Sequence, residues 1–230
     1  MYIGEHMTFP QTFELATTDK LTGLFTPDYF RFLVREQVLP AMHERVEPLS
    51  MFVLDIDYFL ALNTESGREC GDAVLVAVAQ VLKRVLPEQA MLSRYSGDEF
   101  AGALPELRID DAFSLLEEVR RQVLAIQLDC LGEIKLSCSI GLAGYPGHGR
   151  DEVELVRQAD EALYHAKTTG RNKIALPVAD SRMITKTSYY TATQLERLAQ
   201  LAKALKRNEA SLLREALDDV IKKYNDRLKS

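Results

Sequence analysis

The chain has 230 residues, 47% of them hydrophobic and 27% charged, an ordinary globular composition that can build one sizeable domain and leave room for a small second one. No run of about 18 apolar residues occurs, which excludes a membrane-spanning helix, and the opening stretch MYIGEHMTFPQTFELATTDK lacks the basic and apolar regions of a signal peptide. The net charge of −6 is uneven: residues 181–230 hold 11 basic and 6 acidic side chains, +5, against 17 and 28, −11, for residues 1–180, so an acidic body carries either a basic module with its own partner or a solvated lysine-rich tail.

Residues 1–18 read as a short lead segment with at most two turns of helix. DKLTGLFTPD (19–28) is loop, punctuated by Gly, Thr and Pro. YFRFLVREQVLPAMHERV has helical periodicity, with a kink or break expected at Pro40. LSMFVLDID (49–57) is a buried strand ending in two acids, and GDAVLVAVAQVLKRVL (71–86) is a strongly apolar helix. MLSRY (91–95) and FAGAL (100–104) are hairpin arms around SGDE. DDAFSLLEEVRRQVLAIQ (110–127) is a helix opened by acids, EIKLSCSIGLAGY (133–145) an alternating strand, residues 151–170 a helix with a glycine stop, and NKIAL (172–176) a last strand. Interleaved strands and helices with antiparallel hairpins give an α/β (α+β) fold, one sheet covered by helices.

The pattern lapses at 177–182; then MITKTSYYT reads as a short strand, followed by two amphipathic helices, with Asn208 the N-cap of the second. A strand and two helices over about 45 residues bury too little to fold alone, so this unit needs a partner. Cys70, Cys130 and Cys138 are isolated and odd in number, which fits buried thiols in a reducing cytoplasm better than disulfides or zinc, and the four histidines have no metal spacing.

The chemistry gathers at acids. Asp55 closes a buried strand, while Asp98 and Glu99 sit on the hairpin turn after Ser96 and Gly97. Where the hairpin lies beside the Asp55 strand, carboxylates from two strands meet at one sheet edge. Hard oxygen ligands there suit Mg²⁺ (or Mn²⁺), which keeps waters and binds substrate phosphates. The turn by itself reads more readily as a polar hairpin tip, and only with the acids at the end of the 49–57 strand do the two readings balance. No P-loop pattern is present, so phosphate would be held by metal and by basic side chains. Lys167 and Arg171, four apart at a helix end, face one way; helix C-capping accounts for them as well.

As a set, these segments resemble the GGDEF, or diguanylate cyclase, domain. DKLTGL (19–24), FVLDIDYF (52–59), Asn63 with Gly71-Asp72, RYSGDEF (94–100), SIGLA (139–143) and ADEALYHAKTTGRN (159–172) follow its motifs in order, over residues 17–177. The resemblance implies a nucleotide-cyclase-like sheet in a domain at 19–177, and a homodimer in which each subunit presents one GTP for condensation to cyclic di-GMP. It implies that Asp55 and Asp98 hold Mg²⁺ with the Ile56 carbonyl, and that Glu99 is the base beside the attacking hydroxyl or a second metal ligand. It places Asn63 and Asp72 on guanine, Phe59 along the pocket through its backbone, Ser96 and Gly97 in the signature turn, and Lys167 and Arg171 on the triphosphate. The sequence departs from the pattern at Ser96 (first glycine of the signature), Leu60 (a phosphate-contacting lysine), and Thr64 and Arg68 (Asp and His). PEQA (87–90) replaces the Arg-x-x-Asp product-inhibition motif, so feedback there is not expected. With fewer than 20 residues ahead of DKLTGL, no upstream sensor domain is expected either.

After a linker at 178–183, residues 184–230 resemble a ribbon-helix-helix, CopG-like module. Such modules dimerise through their strands, which enter the DNA major groove. The resemblance implies base contacts from one face of that strand, either Thr185, Thr187 and Tyr189 or Lys186, Ser188 and Tyr190, the first preferred on the spacing from Tyr190 to Leu195, and a phosphate contact from backbone near Asn208. Two readings follow: a cytoplasmic, soluble diguanylate cyclase dimerised and placed on DNA by its tail, or a transcriptional regulator whose weak or inactive GGDEF domain responds to GTP or cyclic di-GMP.

Overall fold

The computed structural model describes residues 17–177, 188–205 and 207–224, and the chain divides into two compact units, 1–180 and 181–230. In the first, α1 (Pro27–Leu33) runs through a π-helical turn (Val34–Val38) into α2 (Leu39–Arg45). β1 (Leu49–Ile56), α3 (Phe59–Ser66), α4 (Arg68–Val85), β2 (Met91–Ser96), β3 (Glu99–Pro105), α5 (Ile109–Leu124), a 3-10 turn (Asp129–Leu131), β4 (Cys138–Tyr145), α6 (Glu152–Thr168) and β5 (Ile174–Ala175) follow.

The five strands form one mixed sheet in the order β2-β3-β1-β4-β5, antiparallel except for the β4–β5 pair. β1 is central and buried along its whole length, because both of its faces carry apolar residues. Phe52, Leu54 and Ile56 pack with α4 and α5 residues such as Val78, Leu82, Leu116 and Val119. Met51 and Val53 point the other way, into Phe30, Val34, Leu155 and Leu163 of α1, the π-helical turn and α6. Strand alternation therefore aims Asp55, the next odd position, toward the α6 side.

Pro40 does not break its helix. It sits at the start of α2, directly after the π-helical turn, where Leu39 N–H donates to the Val34 carbonyl five residues back. The wider turn gives the ring room that an α-helical turn denies. The strand expected at 133–145 begins only at Cys138, since its partner β1 ends at Ile56, opposite Cys138. α3, which the periodicity did not indicate, fills residues 59–66.

The cysteine expectation is corrected. Cys70, at the head of α4, and Cys130, in the 3-10 turn, are joined as a disulfide with Cα atoms 5.8 Å apart and 60 residues between them in sequence. Only Cys138 is a buried free thiol, and burial pushes its titration up.

In the second unit, Ser188–Thr191 lead without secondary structure into α7 (Ala192–Leu205), followed by α8 (Glu209–Tyr224). Thr191 and Gln194 cap α7 reciprocally: the Thr191 hydroxyl accepts from Gln194 N–H at 3.2 Å, and Gln194 Oε1 accepts from Thr191 N–H at 2.9 Å. Among its described residues only Ala202 and Leu212 are buried, while Leu195, Leu201, Leu205, Leu217, Val220 and Ile221 stay exposed. No described helix is long and apolar enough to cross a membrane.

Candidate active site at the end of the sheet

The register of β1 on β3 sets Asp55 directly opposite Glu99. The two-residue tip Gly97-Asp98 closes the hairpin, and the Asp98 carbonyl accepts from Ile56 N–H at 3.4 Å, tying the tip to the end of β1. The left-handed backbone of the tip falls on Gly97 (φ 38°) and not on Ser96, so the serine at the first signature position carries no backbone strain. Asp55 is 7% exposed, and Lys167 Nζ of α6 lies 2.7 Å from its Oδ2.

Charge at this corner is under-compensated. Burial, opposed by Lys167 and reinforced by Asp98 and Asp57, holds the Asp55 carboxyl above its ordinary range. Burial and then Asp55 hold Glu99 above its range too. Carboxyls pushed toward neutrality by burial and by neighbouring carboxylates are relieved by a cation. Among the described residues no three His, Cys, Asp or Glu side chains close into an all-protein metal cage. The donor set is two or three carboxylates and a strand-end carbonyl, which fits Mg²⁺ completed by water and phosphate oxygens.

At the neighbouring corner, Asn63, Phe59 and Gly71 are in contact. A Cβ on Gly71 would stand 1.9 Å from Asn63 Oδ1 and 3.2 Å from the Phe59 ring, so glycine lets α3 and α4 approach. Asp72, exposed beside it, lines a shallow groove with Leu21, Val76, Gln80 and Leu128. Arg171, in the turn after α6, lays its guanidinium over the Tyr58 ring, 4.7 Å from the centroid. Leu60 is 81% exposed.

Three residues escaped the sequence reading. Arg94 Nε donates to the Gly97 carbonyl at 2.9 Å, and its Nη1 lies 3.5 Å from Asp19 Oδ2, bracing the signature turn against the 19–24 loop. Burial works against the Asp19 carboxylate, but the Thr22 hydroxyl and N–H and Arg94 outweigh it and hold its titration low. Asp57 is buried under three donors. Arg94 and Asp57 lie inside recognised motifs, yet their partners are remote in sequence, which spacing cannot show.

Of the tail positions, Thr185 and Thr187 lie outside the described residues. Tyr189 is almost fully exposed, and the Asn208 carbonyl accepts from Leu212 N–H at 3.3 Å at the head of α8.

The family pattern described as "Diguanylate cyclase, GGDEF domain" matches residues 16–173. Diguanylate cyclase A of Treponema denticola is 32% identical over 169 residues, covering 72% of this chain and 46% of the relative. Diguanylate cyclase DgcP of Pseudomonas aeruginosa is 35% identical over 161 residues, 69% of this chain and 24% of the relative. The chain thus spans less than half the length of these curated relatives. The crystal structure of the GGDEF domain of DgcB from Caulobacter crescentus in complex with c-di-GMP matches with a TM-score of 0.64 at 31% identity, covering 75% of this chain and 97% of that one.

Proposed function

The chain belongs to the GGDEF family of diguanylate cyclase domains, and on that premise we propose that it joins two molecules of GTP into cyclic di-GMP, one GTP presented by each subunit of a homodimer. The observation that carries the reading is Asp55 set against Glu99 at the sheet end, both carboxyls pushed up by burial, with Lys167 alongside. Asn63 and Asp72 accept from and orient guanine, with Phe59 along the pocket. Lys167 and Arg171 bring positive charge to the triphosphate. Asp55, Asp98 and the Ile56 carbonyl hold Mg²⁺ or Mn²⁺, which when bound neutralises phosphate charge and acidifies the attacking hydroxyl.

In each half-reaction the 3′-oxygen of one GTP forms a bond to the α-phosphorus of the other, and the α–β phosphoanhydride bond breaks to release diphosphate. Glu99, with its affinity for a proton raised by burial, takes the hydroxyl proton. A second such step closes the ring. The tail, residues 184–230, supplies dimerisation and places the enzyme on DNA through Thr185, Thr187, Tyr189 and the backbone at Asn208.

A second reading is favoured by Leu60, exposed where the family carries a lysine: a domain that binds GTP or cyclic di-GMP without turnover and regulates transcription through the tail. One assay separates them. Pure protein with GTP and Mg²⁺, then Mn²⁺, is expected to yield cyclic di-GMP by chromatography, and Glu99→Ala to yield none. GTP binding without product, in both metals, would leave the regulator.

A further inference from the structure

The second acid of the DID sequence, just past the end of β1, has no task in the proposed reaction, yet it is held by several hydrogen bonds. Asp57 is 5% exposed. Its Oδ1 accepts from the Ser139 hydroxyl at 2.7 Å. Its Oδ2 accepts from the Ser137 hydroxyl at 2.7 Å and from the backbone N–H of Asn172 at 3.0 Å. Its own N–H donates to the Ser137 carbonyl at 2.9 Å. Among the described residues no cation pairs with it: a buried carboxylate is satisfied here by neutral donors at the start of β4 and from the α6–β5 turn.

That turn is held in an unfavourable shape. Arg171 (φ 58°) and Asn172 (φ 48°) are consecutive non-glycine residues in the left-handed region, which persists only where surrounding structure over-determines it. Three fastenings are present. Arg171 N–H donates to the Ala166 carbonyl at 3.0 Å, Asn172 Oδ1 accepts from Arg120 Nη1 at 2.9 Å, and Asn172 N–H donates to Asp57. Only the last comes from the residue that follows β1, the strand that carries Asp55. The residue after Asp57 is Tyr58, left-handed as well (φ 59°), and its ring bears the Arg171 guanidinium.

We propose that Asp57 is a positioning residue for triphosphate binding: its carboxylate clamps the α6–β5 turn to the end of β1, so that Arg171 is presented over Tyr58 beside the Asp55–Glu99 pair. The inference deepens the reading of Arg171 as a phosphate contact and rests on it. A carboxylate suits the clamp because three donors converge on its two oxygens. An amide at 57 keeps one acceptor for Asn172 N–H and can turn its NH2 toward Ser139, whose hydroxyl also accepts. An alanine keeps nothing.

The test is a double-mutant cycle in the full chain with Mg²⁺, read as the affinity for the non-reacting α,β-methylene analogue of GTP, with GMP as the control ligand. Arg171→Ala is expected to weaken the analogue about tenfold, the scale of one charge-assisted contact. Asp57→Ala is expected to weaken it about as much with Arg171 present and less than about twofold in the Arg171→Ala background. Asp57→Asn should retain most of the affinity, and GMP binding should change little in any variant. Equal losses from Asp57→Ala in both backgrounds, or an equal loss toward GMP, overturn the clamp and leave Arg171 as a phosphate contact. No loss from Arg171→Ala overturns the phosphate reading and the clamp with it. Should Asp57→Ala fail to fold, Asp57→Ser, whose hydroxyl ends one bond short of the carboxylate oxygens that accept from Asn172 N–H, takes its place in the same cycle, with the same outcomes.

Discussion

At the scale of single residues, the site conflicts with the stability of the fold that carries it. Glu99 and Asp55 are held above their ordinary values of 4.5 and 3.8, by burial first, with Asp55 adding to the rise of Glu99 and Asp98 and Asp57 to that of Asp55, against Lys167. A carboxyl raised in the folded state favours its neutral form there. The stability attached to that preference is present below the ordinary value and is lost as the pH rises through the raised one. The metal-free protein is therefore expected to lose stability across the weakly acidic range, and Glu99→Gln to reduce that loss. At pH 7 this variant should melt roughly 1–3 °C above the parent without metal and should gain less from added Mg²⁺. Its cyclase activity should fall at least about 100-fold, the low end of what a positioned base supplies. Calorimetry from pH 4 to 8, with and without Mg²⁺, reads the first two effects. A variant less stable than the parent at pH 7 would contradict the charge argument.

Elements bring these residues together through close approaches at two glycines with different neighbours. A Cβ on Gly141 of β4 would stand 1.9 Å from the Ala159 carbonyl oxygen and 2.4 Å from Leu163 N, both backbone of α6. Nothing there can turn aside, so Gly141→Ala must lift α6, and Lys167 with it, off the sheet. A loss of about 3 kcal/mol or more is expected, measurable by urea unfolding. At Gly71 the obstacle is the Asn63 side chain, which can rotate. Gly71→Ala should keep the fold and weaken guanine nucleotides selectively, since the displaced amide is the proposed base reader. Comparable unfolding midpoints for the two variants would refute this distinction. The sheet and its acids were legible because β1 and the hairpin are short apolar runs ending in turn chemistry, a signal confined to neighbours in sequence. α3 was not, since Phe59, Leu60 and Leu62 mark no helical stripe over eight residues. The alternation of EIKLS promised a longer β4 than β1 can pair with. The Cys70–Cys130 bond and the Asp57 clamp join positions 60 to 115 residues apart, and such contacts exist only once the layers are stacked.

For the whole molecule, the central requirement is that two nucleotide sites meet, because each proposed half-site holds one GTP and neither can close the ring alone. The first unit has its own cores on both faces of the sheet, whereas α7 and α8 leave Leu217 60% exposed and Tyr224 44% exposed, with only Ala202 and Leu212 buried among their described residues. A helix pair this poorly buried does not account for its own stability, and a second copy offers the same apolar face, which a two-fold dimer of standard interface size, about 1,200–2,000 Å², would cover. Truncation after residue 180 is therefore expected to give a folded monomer by sedimentation that binds the α,β-methylene GTP analogue with unchanged affinity. Its cyclic di-GMP synthesis should fall at least about tenfold at micromolar protein and rise with the square of protein concentration, as for two subunits that must first collide. Replacing the tail with a parallel coiled coil should restore synthesis, because proximity is all the reaction needs from it, while any salt-dependent DNA affinity should stay lost, because the +5 charge of residues 181–230 goes with the tail. A truncated protein that remained dimeric and fully active would move the dimer contact into residues 17–177 and leave the tail with DNA alone.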